Sequence, residues 1–253
     1  LDTTNMMPSI GCLERAVEIQ PTNVKYRFTL GMLWDYSGDT QRAETHFSFL
    51  ENGPNADKYW LDAWHYLKAN EAKIPPIVGT SIETFKLALE ASISGGLVLE
   101  FGVRFGTSIR QITTLVEEEI HGFDSFEGLP DPWAGAPKGA YSTKGTKPVV
   151  PKNVILHDGW FEETLPLFIQ KHREPVRFMN IDCDLYSSTK TILSLFAEQI
   201  VPGTVIVFDE YIGNSHWRED EFKAFQEAVL KFGWSYDYLC FSFMTNQVAV
   251  RIN

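Results

Sequence analysis

Apolar residues follow two different periods along the chain. From about residue 8 to 70 they recur at helical spacing. Leu13, Ala16, Val17 and Ile19 form one stripe, broken at Pro21 and Asn23. Tyr26, Phe28, Leu30, Leu33 and Trp34 start a second, stopped near Ser37, Gly38 and Asp39. Ala43, Phe47, Phe49 and Leu50 make a third, ended by Asn52, Gly53 and Pro54; Trp60, Ala63, Trp64 and Leu67 make a fourth. Lys73 to Ile77 contains two consecutive prolines and reads as a stiff, extended linker. Beyond it short β-rich runs alternate with helical stretches. Strands are expected at 97–101, 119–123, 153–157, 177–181, 204–208, 236–240 and 246–251, and helices at about 80–93, 107–118, 161–172, 187–199 and 219–231. The pattern predicts a helical segment over 1–72 and an α/β domain over 78–253.

The first five strands lack the alternation of a one-sided sheet. They read as parallel strands buried on both faces. Alternating strands and helices point to an open, mostly parallel sheet of seven strands with helices on both sides. The last two strands follow each other closely and can pair as a hairpin, which places an antiparallel strand in the sheet. Between strands two and three no helix is legible. Residues 129–152 are rich in proline and glycine and include Trp133 and Tyr141. A loop of that length in a compact domain is expected to serve function, as a lid.

Composition narrows the partners. The net charge is −11 and no Lys/Arg cluster is visible, so nucleic acid is not an expected ligand. A small neutral or cationic substrate fits better. Cys12, Cys183 and Cys240 lie far apart without CxxC spacing, as reduced thiols of a cytoplasmic protein would. No apolar run reaches membrane-span length, and the start lacks the basic and apolar regions of a signal peptide.

Candidate chemistry lies at the strand ends. The first strand runs into a turn carrying Glu100, Gly102, Gly106 and Ser108 before a helix. Gly102 lets the chain bend and a ligand approach; Gly106 permits close packing at the helix start. The glycines are four apart, unlike a dinucleotide loop. An acid just ahead of them would repel a diphosphate but suit the ammonium and sulfonium groups of S-adenosylmethionine. Asp124, at the end of the second strand, is placed to accept both hydroxyls of a ribose. The fourth strand ends in Asp182 and Asp184, the fifth in Asp209 and Glu210. Neighbouring strands are about 4.8 Å apart, so these acids converge and raise one another's pKa unless a cation sits among them. All-oxygen donors indicate Mg²⁺, Mn²⁺ or Ca²⁺. Extended backbone would point Asp182 and Asp184 to the same side, leaving one free to act as a base. His216, beside Trp217, is an alternative base. No nucleophile elbow or P-loop is present.

Two resemblances emerge. "LERAVEIQPTNVKYRFTLGMLWDYSGDTQRAETHFSFLENG" resembles about one and a half tetratricopeptide repeats, fewer than stand alone, so the segment must pack on something. It is also a candidate surface for a second copy or a protein partner. "LEFGVRFGTS", "FDSFEGLP", "GWFEETLP", "DCDLYSSTKTIL" and "VPGTVIVFDEY", in order between 97 and 211, resemble the macrocin-type O-methyltransferases, which act on sugars of macrolide and aminocoumarin antibiotics. The resemblance implies a Rossmann-like class I methyltransferase fold, S-adenosylmethionine as donor, Mg²⁺ (or Mn²⁺) as metal and a small-molecule hydroxyl as acceptor. By motif position it places Glu100, Gly102, Gly106, Ser108, Asp124 and Ser125 at the cofactor, with Asp158 and Gly159 at the adenine and Asp182 between cofactor and metal. It places Asp182, Asp209 and Glu210 on the metal and Asp184 as general base. The family usually has Asp-Asp-Tyr where this chain has Asp209, Glu210 and Tyr211. Rival readings are a metal-independent N-methyltransferase, a repeat-bearing adaptor without catalysis, and an NAD-dependent enzyme on a similar sheet.

Overall fold

The computed structural model describes residues 5–52, 58–70 and 74–253. Gly53 and Pro54, expected to end the third helix, and Lys73, expected to open the linker, lie outside the described residues. Four helices come first: α1 (Met7–Ile19), α2 (Val24–Tyr36), α3 (Thr40–Asn52) and α4 (Lys58–Asn70). Asn23 caps α2 by accepting the Tyr26 N–H. Helix α5 (Ser81–Ala91) opens with a reciprocal cap, in which Thr80 accepts from the Glu83 N–H while the Glu83 carboxylate accepts from the Thr80 hydroxyl and the Gly79 N–H.

The sheet is built from β1 (Leu97–Phe101), β2 (Ile120–Asp124), β3 (Val154–Asp158), β4 (Val176–Ile181), β5 (Val205–Phe208), β6 (Tyr236–Phe241) and β7 (Val248–Ile252). Their order is β3-β2-β1-β4-β5-β7-β6. Strand β7 runs antiparallel to both β5 and β6, as the short final connection implies. Helices α6 (Thr107–Ile112), α7 (Phe161–Lys171), α8 (Tyr186–Leu195) and α9 (Glu221–Phe232) link the strands. The sequence periods locate these elements to within a few residues, with two differences. The helix expected over 107–118 stops at Ile112: the Thr114 and Leu115 amides bond three residues back, to Gln111 and Ile112, and the Thr113 and Thr114 hydroxyls bond the Arg110 and Gln111 carbonyls. Strand β3 is an edge strand rather than one buried on both faces, and Ile155 is 40% exposed. Its apolar run is too short for periodicity to tell edge from centre.

Two apolar layers sandwich the sheet. One holds Val98, Phe178, Val205 and Val207 against α5 and α6. The other runs without a break from Leu99, Phe101, Ile206 and Phe208 into the N-terminal helices. Trp64 and Phe28 are at most 1% exposed, and both pack their rings on Phe243. At about 1.5–3 kcal/mol for each fully buried large side chain, this contact explains how so short a helical stack is stable. The linker crosses to the sheet at Ile77, which bridges Phe241 at the outer edge of β6. No described helix is long and apolar enough to cross a membrane.

Candidate active site

The sheet register assembles the site. Phe101 pairs with Ile181, and Ile181 with Phe208. One step further the ladder continues past the strands: the Asp182 N–H donates to the Phe101 carbonyl and the Asp209 N–H to the Ile181 carbonyl, both at 2.9 Å. Gly102, Asp182 and Asp209 therefore stand side by side at the carboxyl ends of β1, β4 and β5. Strand order reverses between β1 and β4, which is where open α/β sheets bind ligands. A cavity of about 620 Å³ opens there, within the range of small-molecule sites. Its walls include Gly102, Asp124, Ser125, Gly159, Asp182, Asp184, Asp209 and Glu210.

On the β1–β2 side the backbone dominates. Gly102 has φ of 93°, and a Cβ there would lie 1.8 Å from the Asp182 carbonyl oxygen. Only glycine fits this turn. Gly106, at φ 75°, begins α6 in the left-handed region. Glu100 is fully buried beneath the turn and accepts the Ser108 hydroxyl; its second oxygen has no hydrogen-bond partner among the described residues. Burial is the main reason its pKa rises to about 8. The Asp124 carboxylate accepts the Arg104 N–H at 2.7 Å and the Phe126 N–H at 2.6 Å, which fixes it at the cavity wall. Ser125 accepts the Glu127 N–H. Glu100, Gly106, Ser108 and Asp158 do not line the cavity. Asp158 is turned to Lys147 at 2.8 Å, while its neighbours Gly159 and Trp160 form the wall.

On the β4–β5 side carboxylates dominate. Burial raises Asp182 well above the ordinary range, reinforced by Asp209, Asp184, Glu100 and Glu221. Burial also brings Asp184 and Asp209 to about 6 and Glu210 to about 7. Asp184 and Asp182 both reach the cavity, but not through extended backbone: Asp184 sits at φ 61°, in a turn where the Leu185 N–H bonds the Cys183 carbonyl. Aspartate tolerates this conformation better than most residues. Gln247 donates to Asp209 at 2.6 Å, and Asn246 and Asn214 donate to Glu210 at 3.1 and 3.2 Å. Among the described residues, no three His, Cys, Asp or Glu side chains are grouped as metal ligands.

The structure adds residues that the sequence periods did not single out. Glu221, the first residue of α9, is fully buried, and its carboxylate accepts the Glu210 N–H at 3.1 Å. Gln247, Asn246 and Asn214 hold the acids from segments distant in sequence; no local signal marks them. The 129–152 loop is not structureless. The Leu129 N–H bonds the Ala140 carbonyl, the Gly139 N–H bonds the Leu129 carbonyl, and the Thr143 and Gly145 N–H groups converge on the Phe126 carbonyl. Leu129, Trp133 and Tyr141 line the cavity, and Arg104 lies over the Tyr141 ring at 5.0 Å. His216 forms no part of the wall and accompanies Trp217 in a surface groove beside α4.

Comparison with known proteins agrees with this geometry. Residues 99–211 match a family model described as a methyltransferase domain. No curated protein sequence matches the chain. Among solved structures, the calicheamicin methyltransferase CalS11 is 20% identical and aligns over 85% of this chain and 92% of its own, with a TM-score of 0.56. The apo form of CalS11, described as a TDP-rhamnose 3'-O-methyltransferase, is 20% identical over 85% of this chain and 94% of its own, with a TM-score of 0.51. The O-methyltransferase NovP is 20% identical over 67% of this chain and 78% of its own, at a TM-score of 0.49. At 20% identity the likeness to CalS11 is one of fold. Residues 99–211 are thus similar to a methyltransferase domain, and the seven-stranded sheet that carries them has the Rossmann-like fold of the methyltransferases.

Proposed function

We propose that this protein moves a methyl group from S-adenosylmethionine to a hydroxyl of a small molecule, a sugar or other natural product bearing a vicinal diol, with the help of a divalent cation. The observation that carries the reading is the meeting, in one cavity, of a glycine turn and ribose-type acid on one side with an acidic cluster on the other. The likeness in fold to CalS11, described as a TDP-rhamnose 3'-O-methyltransferase, supports the choice of acceptor.

Asp124 would accept the two ribose hydroxyls, and Glu100 would attract the donor's cationic end from below the turn. Gly159 and Trp160 offer a flat wall for the adenine. The acceptor oxygen attacks the methyl carbon in line; the sulfur–methyl bond breaks and the sulfonium becomes a neutral thioether. Asp184, raised to about 6, is poised near the operating pH and takes the hydroxyl proton. Holding the two reactants in line would supply much of the acceleration.

The acids fit a hard cation in donor chemistry. Asp182, Asp209 and Glu210 supply oxygen only, border one cavity, and are pushed up by burial, reinforced at Asp182 and Glu210 by neighbouring acids, which a positive charge would relieve. When bound, Mg²⁺ or Mn²⁺ would lower the pKa of the acceptor hydroxyl.

The test is twofold. Calorimetry with S-adenosylhomocysteine should show binding, and its absence would sink the cofactor assignment. A panel of sugar diols with methyl-labelled donor should yield a methylated product whose formation stops in EDTA and returns with Mg²⁺. Turnover that persists in EDTA would instead favour a metal-free transfer, to nitrogen or oxygen.

A further inference from the structure

Residues 211–220, between β5 and α9, contain neither helix nor strand and follow directly on Asp209 and Glu210, which line the acidic side of the cavity. Helix α4 grips this segment. Asp62 accepts two hydrogen bonds from Arg218, both at 2.8 Å. The Arg218 guanidinium also lies 4.1 Å from the Trp217 ring centre and 5.5 Å from that of Tyr66. Trp217 is 2% exposed and packs edge-on against Tyr66 and Phe222. The Tyr66 hydroxyl reaches Tyr238 at 3.2 Å, and Tyr238 reaches Tyr211 at 3.1 Å. Two residues past Arg218, Asp220 accepts a 2.8 Å hydrogen bond from the Trp133 indole. Trp133 belongs to the loop that walls the cavity.

An exposed ion pair contributes little by itself. A two-pronged guanidinium–carboxylate contact stacked on aromatic rings is different, because it admits one geometry. Arg218 lies in a tight turn closed by the Glu219 N–H on the His216 carbonyl at 2.7 Å, and Asp220 follows that turn directly, so fixing Arg218 restrains Asp220.

We propose that Asp62 and Arg218 are positioning residues for the acceptor side of the cavity: they fix segment 211–220 so that Asp220 holds Trp133 in the cavity wall, and α4 thereby sets how firmly the 126–147 loop is closed. The role given to the acidic side rests on the function proposed above. The mechanical link does not.

Hydrogen exchange of the full chain, read by mass spectrometry at loop 126–147, tests the link. Trp133→Phe removes the indole N–H together with the pyrrole half of the ring and should speed exchange of the Leu129, Gly139 and Thr143 amides at least fivefold. Asp62→Asn and Arg218→Gln should each speed them at least threefold, and combining either with Trp133→Phe should add nothing. The reversed pair Asp62→Arg with Arg218→Asp should restore at least half of the lost protection. Wild-type rates in Asp62→Asn and Arg218→Gln would overturn the proposal. So would full additivity with Trp133→Phe, or an equal rise in the amides of β1 and β4, which marks global loosening. S-adenosylhomocysteine calorimetry on the unaltered protein reports separately: failure to bind would overturn the cofactor reading while the exchange result stands.

Discussion

The two sides of the cavity are built by different physics. On the β1–β2 side a nine-residue stretch from Glu100 to Ser108 and one strand-end acid, Asp124, do the shaping, and main-chain amides fix their positions. On the β4–β5 side four acids are gathered from two strands and steadied by side chains from elsewhere: Gln247, Asn246, Asn214 and Glu221. Backbone geometry is unforgiving and local. Side-chain support is adjustable and spread through the chain. A donor shared by many enzymes suits the first kind of wall, and an acceptor that differs from enzyme to enzyme suits the second.

The largest effect should come from breaking the rigid side. Gly102→Ala would drive a methyl group into the Asp182 carbonyl in a backbone region unfavourable to alanine. A loss of more than about 3 kcal/mol in unfolding free energy is expected, with no measurable S-adenosylhomocysteine binding; a folded variant of wild-type affinity would refute the account of the turn. Next comes the residue where the two sides meet. Asp182→Asn keeps the shape and removes the charge, and transfer should fall by about 10²–10³-fold, the usual loss when one charge-stabilising group is removed. Unchanged turnover would end the role of Asp182.

A histidine pair makes the cofactor side sensitive to acid. Under β2 and β3, His121 and His157 approach to 3.2 Å, His121 also faces Glu119, and burial lowers both histidines to about 4. Their folded pKa lies below the unfolded value near 6.5, so they are neutral when folded and stability is intact above that pH. As pH falls from about 6.5 towards 4 these two histidines remove up to about 1.4 kcal/mol of stability per pH unit each, opposed by the cavity acids Glu100, Asp184, Asp209 and Glu210, whose raised folded pKa adds stability in the same direction of pH. Urea melts across this range, compared between the wild type and a variant with both residues replaced by glutamine, check this: the variant should be less weakened by acid than the wild type. The smallest effect is expected on the adjustable side. Gln247→Leu removes one donor to Asp209, and transfer should fall about tenfold, equivalent to about 1.4 kcal/mol, with cofactor affinity within twofold of wild type.

The same contrast decides what the sequence reveals. The β1 turn is legible because its requirement is written in consecutive residues: an acid, two glycines and a serine after a buried run. The strand-end acids are legible because parallel strands align their carboxyl ends. Glu221 is not, since a glutamate opening an amphipathic helix looks like an ordinary solvated first-turn acid, yet here it lies inside. Asn246 and Gln247 sit in a short connection with no pattern, and only the antiparallel insertion of β7 brings them to Asp209 and Glu210. The left-handed backbone of Asp184 escaped for the same reason: a strand period says nothing about the residue at which the strand stops.

The unbroken core between the N-terminal helices and the sheet has a practical consequence. The two sequence patterns invite a cut at the prolines, to express residues 78–253 alone. That cut would strip Trp64, Phe28 and Tyr66 from Phe241, Phe243 and Trp217, leaving these large rings in water. A protein so trimmed should bind hydrophobic dyes and aggregate as it is made. Recombination that swaps the helical segment would have to carry the matching rings of the sheet along with it.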